Sequence, residues 1–177
     1  MCRTIFITGG ARSGKSRFAE QTASNYAAPL CYLATAQPLD DEMSRRISLH
    51  QQRRGDAWHT VEEPLQLAQA LTENDGAFNV ILIDCLTLWL SNLLMLHEHL
   101  GAKAEERILE DVLHLAETLR DMETPVIIVS NEVGMGIVPE NRLARIFRDI
   151  AGQANQIIAA AAGEAWLVAS GIPLRLK

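Results

Sequence analysis

The chain has 177 residues, of which 48% are hydrophobic and 21% are charged, and its formal net charge is −6. These values exclude a disordered chain, and the length predicts a single domain over residues 1–177. The negative charge argues against a broad nucleic-acid-binding surface. The longest apolar segment, 86–96, is broken by Ser91 and Asn92 and is shorter than the roughly 20 residues of a membrane span.

Short apolar runs alternate with longer segments of helical spacing along the whole chain. The runs predict strands at Thr4–Thr8, Leu30–Ala34, Val80–Ile83, Pro125–Val129, Ala165–Val168 and Ile172–Leu176. Helices are predicted at Lys15–Asn25, Asp40–His50, from Pro64 onward, at 87–98, 103–122 and Pro139–Ala161. This alternation predicts an α/β fold with a mostly parallel sheet covered by helices on both faces. Ligands bind such sheets at the carboxyl ends of the strands, where Thr35, Asp84 and Asn131 fall.

The segment from Gly9 to Ser16 matches the phosphate-loop pattern G-x-x-x-x-G-K-S and lies between a predicted strand and a predicted helix. Backbone N–H groups and the helix N-terminus would hold phosphate oxygens, while Lys15 would reach the β- and γ-phosphates and Ser16 would bind Mg²⁺. The predicted fold is therefore the three-layer fold of P-loop (RecA-like) nucleoside triphosphatases. The nucleotide-binding residues predicted from this loop are Gly9, Gly10, Ala11, Arg12, Ser13, Gly14, Lys15 and Ser16.

Two further residues are candidates for chemistry. Asp84 ends a buried strand, where a carboxylate commonly holds Mg²⁺, although it could instead cap the helix that follows. His50 ends the predicted helix from Asp40 and precedes Arg53 and Arg54, which could hold a phosphate that a neutral imidazole attacks. A half-buried helix histidine is the alternative. A metal site at His97 and His99 lacks evident further ligands.

The motifs closely resemble the bifunctional adenosylcobinamide kinase / adenosylcobinamide-phosphate guanylyltransferase family of cobalamin biosynthesis. The resemblance runs nearly end to end, and its most specific stretch is 131–142. The other segments that carry it are Thr8–Ser16, Ala34–Ala36, Asp40–Met43 with Arg46 and His50, Trp58–Glu63 and Asp84–Thr87.

The resemblance implies two reactions. The first is phosphorylation of adenosylcobinamide by ATP or GTP, and the second is transfer of GMP from GTP to adenosylcobinamide phosphate through a covalent GMP–histidine intermediate. It implies that His50 and Lys15 are catalytic and that Mg²⁺ is bound by Ser16 and Asp84. It also implies a homotrimer and further nucleotide contacts at Ala34, Thr35, Ala36, Gln51, Gln52, Arg53, Arg54, Glu62 and Asp84.

Several points stay open at the level of sequence. The base that deprotonates the acceptor hydroxyl could be Glu62, Glu63 or Glu132. The stretch 131–139 is expected to be a flexible loop, and Arg142, Arg145 and Arg148 either bind a partner or form a solvated helix face. A regulatory GTPase would need a guanine-reading N-K-x-D motif, which is absent from the sequence, and a one-step kinase would need no nucleophilic histidine. The three cysteines, Cys2, Cys31 and Cys85, include no C-x-x-C pair and are expected to be buried, reduced thiols, as in a cytoplasmic protein.

Overall fold

The computed structural model of the chain describes residues 4–37, 55 and 57–177. Its strands are β1 (Thr4–Gly9), β2 (Leu30–Ala34), β3 (Trp58–Glu62), β4 (Val80–Asp84), β5 (Val126–Asn131), β6 (Glu164–Ala169) and β7 (Ile172–Arg175). The described helices are α1 (Lys15–Ala23), α2 (Leu67–Asn74), α3 (Leu86–His97), α4 (Ala104–Asp121) and α5 (Arg142–Ala161), and a 3₁₀ helix (Glu98–Lys103) joins α3 to α4. The predicted helix over 40–50 lies outside the described residues.

The seven strands form one sheet in the order β3-β2-β4-β5-β1-β6-β7. All neighbouring pairs are parallel except β6 and β7, which form an antiparallel hairpin. Strand β5 thus lies between β1, which leads into the phosphate loop, and β4, which ends at Asp84. The carboxyl ends of these three strands meet at one edge of the sheet, so the topology brings the two main sequence motifs together.

Side chains alternate between the two faces of the sheet because successive residues of a strand point in opposite directions. One face packs Phe6, Ile83 and Ile128 against buried residues of α2, α3, α4 and α5. The other face packs Ile7, Leu82 and Val129 against Ala19 and Ala23 of α1. Burial on both faces explains why these strands are almost continuously apolar. The result is a three-layer α/β structure with a mostly parallel sheet, as the sequence predicts.

Helix α4 shows why the helical segments could be found from sequence. Its buried residues Ile108, Val112, Leu115 and Leu119 recur at the spacing of one helix face, and Glu105 lies in its first turn, where it suits the helix dipole. Within the described residues, no helix combines the length and apolar character needed to cross a bilayer.

Strand β3 was missed by the sequence analysis. Among the described strands, it lies at the edge of the sheet and pairs with β2 alone, and all its residues are exposed or half-buried. An edge strand with little burial needs no apolar run, so the hydrophobic pattern gave no strand signal there. Because β3 is part of the sheet, Glu62 lies beside Ala34, at the same edge as the carboxyl ends of the other parallel strands.

Two predicted helix starts were wrong by about three residues. Helix α2 begins at Leu67 and not near Pro64, because the Glu63 carboxylate accepts hydrogen bonds from the N–H groups of Leu65 and Gln66, at 2.8 Å each, and holds them outside the helix. Helix α5 begins at Arg142 and not at Pro139. There Asn141 is the N-cap, and its side chain accepts the N–H of Ala144 at 3.1 Å.

Asp75 joins the end of α2 to the start of β5. Its carboxylate accepts the N–H groups of Glu123 (3.1 Å) and Thr124 (2.8 Å), and Thr124 in turn accepts the N–H of Gly76 through its hydroxyl (2.8 Å). Burial acts to raise the pKa of Asp75, but the hydrogen bonds from Thr124, Glu123 and Gly76 outweigh it and lower the pKa overall. The ionised form of Asp75 is therefore the one that stabilises this junction.

We expect Asp75→Ala to lower the free energy of unfolding by about 1–3 kcal/mol at pH 7, because it leaves the backbone donors of Glu123 and of the buried residue Thr124 without this acceptor. Since the folded-state pKa is depressed, this stabilisation is present above the unfolded pKa of about 3.9 and is lost as the pH falls through the lower folded value. Urea unfolding of wild type and variant at pH 7 and near pH 3 measures both effects. The exposed Asp121→Ala serves as control and should change stability by less than about 0.5 kcal/mol. A loss that is the same at both pH values would contradict the assignment.

Candidate active site

The predicted phosphate loop connects the last residue of β1 to the first turn of α1. Arg12 and Gly14 have positive φ angles of 56° and 96°, which turn the chain back over the end of β1. The N–H of Ser13 donates to the carbonyl of Gly10 at 3.2 Å, and α1 starts directly at Lys15. The free N–H groups of the first helical turn therefore face the loop, which is the arrangement that binds anions.

Lys15 lies across this loop. Its ammonium donates a hydrogen bond to the carbonyl of Gly10 at 3.1 Å, and only 9% of the residue is exposed. Burial lowers the pKa of Lys15, and the Asp84 carboxylate opposes this by favouring the charged form. The amine is therefore held in the loop by a bond that a phosphate oxygen could replace.

The turn between β6 and β7 supports the phosphate loop from the side. Ser170 and Gly171 both have positive φ, 52° and 81°, as in a tight hairpin turn, and the N–H of Gly171 donates to the carbonyl of Ser13 at 2.8 Å. Because the C=O and N–H of a trans peptide unit point in opposite directions, this bond turns the N–H of Gly14 away from the hairpin. The hairpin thus fixes the direction of one N–H group of the predicted phosphate loop.

Asp84 lies at the end of β4 on the face that carries α1. The hydroxyl of Tyr32, from the neighbouring strand β2, donates to Oδ2 of Asp84 at 3.2 Å. Strand alternation puts Asp84 and Tyr32 on the same side of the sheet as Lys15. The structure therefore brings together the lysine and the carboxylate that the sequence singled out, and Tyr32 is a contact that sequence reasoning missed.

Thr35, by contrast, is fully buried and uses its polar groups within the protein. Its hydroxyl accepts the N–H of Cys85 and donates to the Cys85 carbonyl, at 2.8 Å each. The side-chain amide of Asn92 donates to the carbonyls of Thr35 (2.9 Å) and Pro64 (3.0 Å). Thr35 therefore ties the end of β2 to the end of β4, between its neighbours Ala34 and Ala36 at the carboxyl edge.

The three carboxylates considered as a base differ in their partners. Glu63 accepts two backbone hydrogen bonds before α2, and Glu132 accepts the N–H of Gly134 at 2.7 Å. Glu62 is exposed, and its carboxylate makes no hydrogen bond to the residues that the structure describes. Of the three, Glu62 is thus the one whose carboxylate makes no hydrogen bond within the described part of the chain.

Other sequence features are accounted for within the fold. His97 lies 3.7 Å from Asp111, and the described part of the chain contains no group of three His, Cys, Asp or Glu residues that could hold a metal. Arg145 donates to the carbonyls of Pro139 (3.0 Å) and Glu140 (2.7 Å). Both described cysteines, Cys31 and Cys85, are buried and free, and burial raises the pKa of each thiol to about 12.

The predicted nucleophile and the residues after it, His50, Gln51, Gln52, Arg53 and Arg54, lie outside the described residues. The described part of the site therefore consists of the phosphate loop, the carboxyl ends of β2, β3, β4 and β5, and the β6–β7 turn. In the loop, the buried hydroxyl of Ser13 has no hydrogen-bond partner among the described residues. An orphaned buried hydroxyl in a loop of this shape fits a ligand that supplies oxygen atoms.

Comparison with known proteins gives one consistent result. A family model described as cobinamide kinase / cobinamide phosphate guanyltransferase matches residues 5–176. A relative from Escherichia coli K12, named bifunctional adenosylcobalamin biosynthesis protein CobU, is 44% identical over 98% of this chain and 99% of its own length. The protein of the same name from Salmonella typhimurium is 46% identical over the same shares. CobP of Pseudomonas aeruginosa is 43% identical over 97% of this chain and 95% of its own length.

A solved structure of an ATPase from a bacterial type III secretion system has a similar fold. The TM-score is 0.60, with 13% sequence identity, over 93% of this chain and 50% of that chain. At this identity the likeness concerns the fold alone, and it agrees with the P-loop architecture described above.

The packing of Gly9 generates a prediction. A Cβ at this position would lie 2.4 Å from the carbonyl oxygen of Val168 and 2.7 Å from Oγ of Ser13. We expect Gly9→Ala to separate the loop from the hairpin, to lower the free energy of unfolding by about 1–3 kcal/mol and to weaken nucleotide binding at least about tenfold. Thermal unfolding and nucleotide titration measure the two effects.

Gly10→Ala is the matched control for stability, because a Cβ on Gly10 would meet nothing within 4 Å. It should change the free energy of unfolding by less than about 0.5 kcal/mol. Equal free energies of unfolding of the two variants would show that the close approach of Gly9 to the hairpin does not contribute to stability.

Proposed function

The chain belongs to the cobinamide kinase / cobinamide phosphate guanyltransferase family, and on this premise we propose that it phosphorylates adenosylcobinamide with ATP or GTP and then transfers GMP from GTP to the product. It is a bifunctional enzyme of that family. The observation that carries the proposal is the nearly full-length match to bifunctional relatives, together with a complete phosphate loop facing Asp84. The products would be adenosyl-GDP-cobinamide and pyrophosphate.

In the kinase step, the acceptor hydroxyl gives up its proton and its oxygen attacks the γ-phosphorus. The bond from that phosphorus to the β–γ bridging oxygen breaks, and the nucleoside diphosphate leaves. The first turn of α1 and the loop N–H groups hold the phosphates, and Lys15 exchanges its bond to the Gly10 carbonyl for phosphate oxygens. Glu62 is the carboxylate that the described contacts favour as proton acceptor.

Mg²⁺ is the metal that this donor set fits. Ser16 and Asp84 offer a hydroxyl and a carboxylate, hard oxygen donors that together with substrate phosphates suit Mg²⁺, and when bound the ion would neutralise charge on the phosphates. The hydrogen bond from Tyr32 to Oδ2 orients the Asp84 carboxylate at the edge of the sheet.

In the guanylyl step, an imidazole nitrogen of His50 attacks the α-phosphorus of GTP, and pyrophosphate leaves. A phosphate oxygen of adenosylcobinamide phosphate then attacks the same phosphorus and releases the histidine. Splitting the transfer into two displacements is nucleophilic catalysis, and Arg53 and Arg54 carry charge that suits the phosphates. The family resemblance supports this role of His50, the nucleotide contacts at Ala34–Ala36, Gln51, Gln52 and Glu62, and the assignment to a homotrimer. The cytoplasmic location is proposed from the cysteine pattern of the sequence.

The first prediction from this proposal concerns the lysine of the loop. We expect Lys15→Ala to lower the rates of both cobinamide phosphorylation and GMP transfer by at least about 100-fold, because the Lys15 ammonium binds the triphosphate in both reactions. Steady-state assays of the two reactions measure this, with Lys103→Ala, an exposed lysine in the 3₁₀ helix, as control. A near-normal rate of either reaction in Lys15→Ala would mean that the two steps do not share the loop.

The second prediction concerns the covalent intermediate. GTP labelled at the α-phosphate should leave label on the protein, whereas GTP labelled at the γ-phosphate should not, because pyrophosphate departs. The adduct should be acid-labile and alkali-stable. His50→Ala should abolish the adduct and GMP transfer while largely sparing cobinamide phosphorylation, because attack on the γ-phosphate needs no protein nucleophile.

His59→Ala is the matched control, since His59 is exposed on β3 and its ring lies 5.8 Å from that of Phe78. It should retain the adduct. An adduct that persists in His50→Ala but is lost in His59→Ala would move the nucleophile to His59. GMP transfer by wild type without any adduct would establish direct transfer and leave a one-step mechanism.

A further inference from the structure

Asn131 is the last residue of β5, the strand that lies between β1, which leads into the phosphate loop, and β4, which ends at Asp84. The register pairs Asn131 with Gly9 of β1 on one side, and pairs Val129 with Asp84 of β4 on the other. Asn131 therefore lies level with the start of the phosphate loop and two residues beyond the level of Asp84. At about 3.3 Å per residue, it extends about 7 Å further toward the ligand-binding edge.

The side chain of Asn131 belongs to the face that carries the reactive groups. Along β5, Ile127 and Val129 pack on the α1 face, and alternation puts Asn131 on that face as well. Asp84 and Lys15 lie on the same side. The intervening residue Ser130 points the other way, into the layer of α3 and α5, where it is buried.

The backbone of Asn131 is held from that opposite face by a network of buried polar groups. Its N–H donates to the hydroxyl of Thr87 at 2.6 Å, and its carbonyl accepts from the side-chain amide of Asn155 at 3.2 Å. The hydroxyl of Ser130 contacts the Thr87 hydroxyl (3.2 Å) and donates to Oδ1 of Asn155 (2.6 Å). Thr87, Ser130 and Asn155 thus fix where β5 ends.

The side-chain amide of Asn131, in contrast, makes no hydrogen bond to the residues that the structure describes, and the residue is half-buried. A positioned donor requires a backbone that is held in place and a side-chain amide that is still able to donate. Asn131 meets both conditions within the described part of the chain, and it lies at the carboxyl ends of the strands, level with Gly9 at the start of the phosphate loop. In helix caps and turns, an asparagine side chain commonly bonds to backbone groups of its own segment. No such bond from the Asn131 side chain is found within the described residues, and the backbone N–H and C=O of Asn131 bond to Thr87 and Asn155 instead.

We propose that the side-chain amide of Asn131 donates a hydrogen bond to the terminal phosphoryl group of the bound nucleoside triphosphate, and so acts in the phosphoryl transfer step. This inference rests on the proposed kinase activity. The position of Asn131, between the loop that holds the β-phosphate and the carboxylate at Asp84, leaves the γ-phosphate as the nucleotide group within reach. Nothing in this role involves a proton transfer, because the amide only donates.

The test compares nucleotides that differ in the γ-phosphate. Titration of wild type, Asn131→Ala and Asn131→Asp with GDP and with a non-hydrolysable GTP analogue, at fixed Mg²⁺, isolates the contact. For Asn131→Ala we expect the affinity for the analogue to fall about tenfold or more, the value of one hydrogen bond to a charged group, while the affinity for GDP changes less than about twofold. Asn131→Asp, of nearly the same shape, should lose more affinity for the analogue because its carboxylate repels the phosphate.

The thermal unfolding temperature of Asn131→Ala should be nearly that of wild type, which would exclude a structural role as the cause of the weaker binding. The control variant is Asn25→Ala, which changes an exposed asparagine just after α1. In the kinase assay, Asn131→Ala should lower kcat with little change in KM for cobinamide. Equal weakening of GDP and analogue, or no weakening of either, would overturn the proposal. Failure of wild type to phosphorylate cobinamide would overturn the proposed function instead, and the binding comparison would still stand.

Discussion

The phosphate loop depends on a backbone contact with a distant hairpin. The Gly171 N–H holds the Ser13 carbonyl, and Gly9 lies so close to Val168 that no side chain fits between them. A loop of glycines loses much conformational entropy when it is ordered, and without an external support its N–H groups would not be directed at a common point. The hairpin supplies that support, and the strand that leads into the loop, β1, is itself fixed between β5 and β6.

At the carboxyl ends of the strands, the two faces of the sheet carry residues of different kinds. The groups to which we assign roles in the reaction, Lys15, Asp84 and the Asn131 amide, lie on the α1 face. The groups that hold the strand ends in place lie on the opposite face, where Asn92 binds Thr35 and where Asn155 binds Asn131. Because a strand alternates strictly between faces, Ser130 can be buried in a hydrogen-bonded network on one face while the next residue, Asn131, lies on the α1 face.

Much of the fold and part of the candidate site could be predicted from sequence. The phosphate loop is a local motif, and β4, β5 and α4 have strong apolar patterns, so their types followed directly. Strand β3 could not be found because an exposed edge strand leaves no apolar run, and the start of α2 was displaced by a side-chain cap at Glu63. Contacts such as Tyr32 with Asp84 join residues far apart in the chain. No pattern within one segment encodes such a contact, since it depends on which strands become neighbours.

The strand order has a consequence for how the chain acquires its structure. Among the described strands, β1 is synthesised before the others, yet its two neighbours in the sheet are β5 and β6, both of which are synthesised much later. Strands β2, β3 and β4 can pair with one another in the meantime, since their contacts are closer in sequence. Of the described strands, β1 is therefore the one that stays longest without its native neighbours during translation, and its apolar side chains would benefit from protection by a chaperone in that interval.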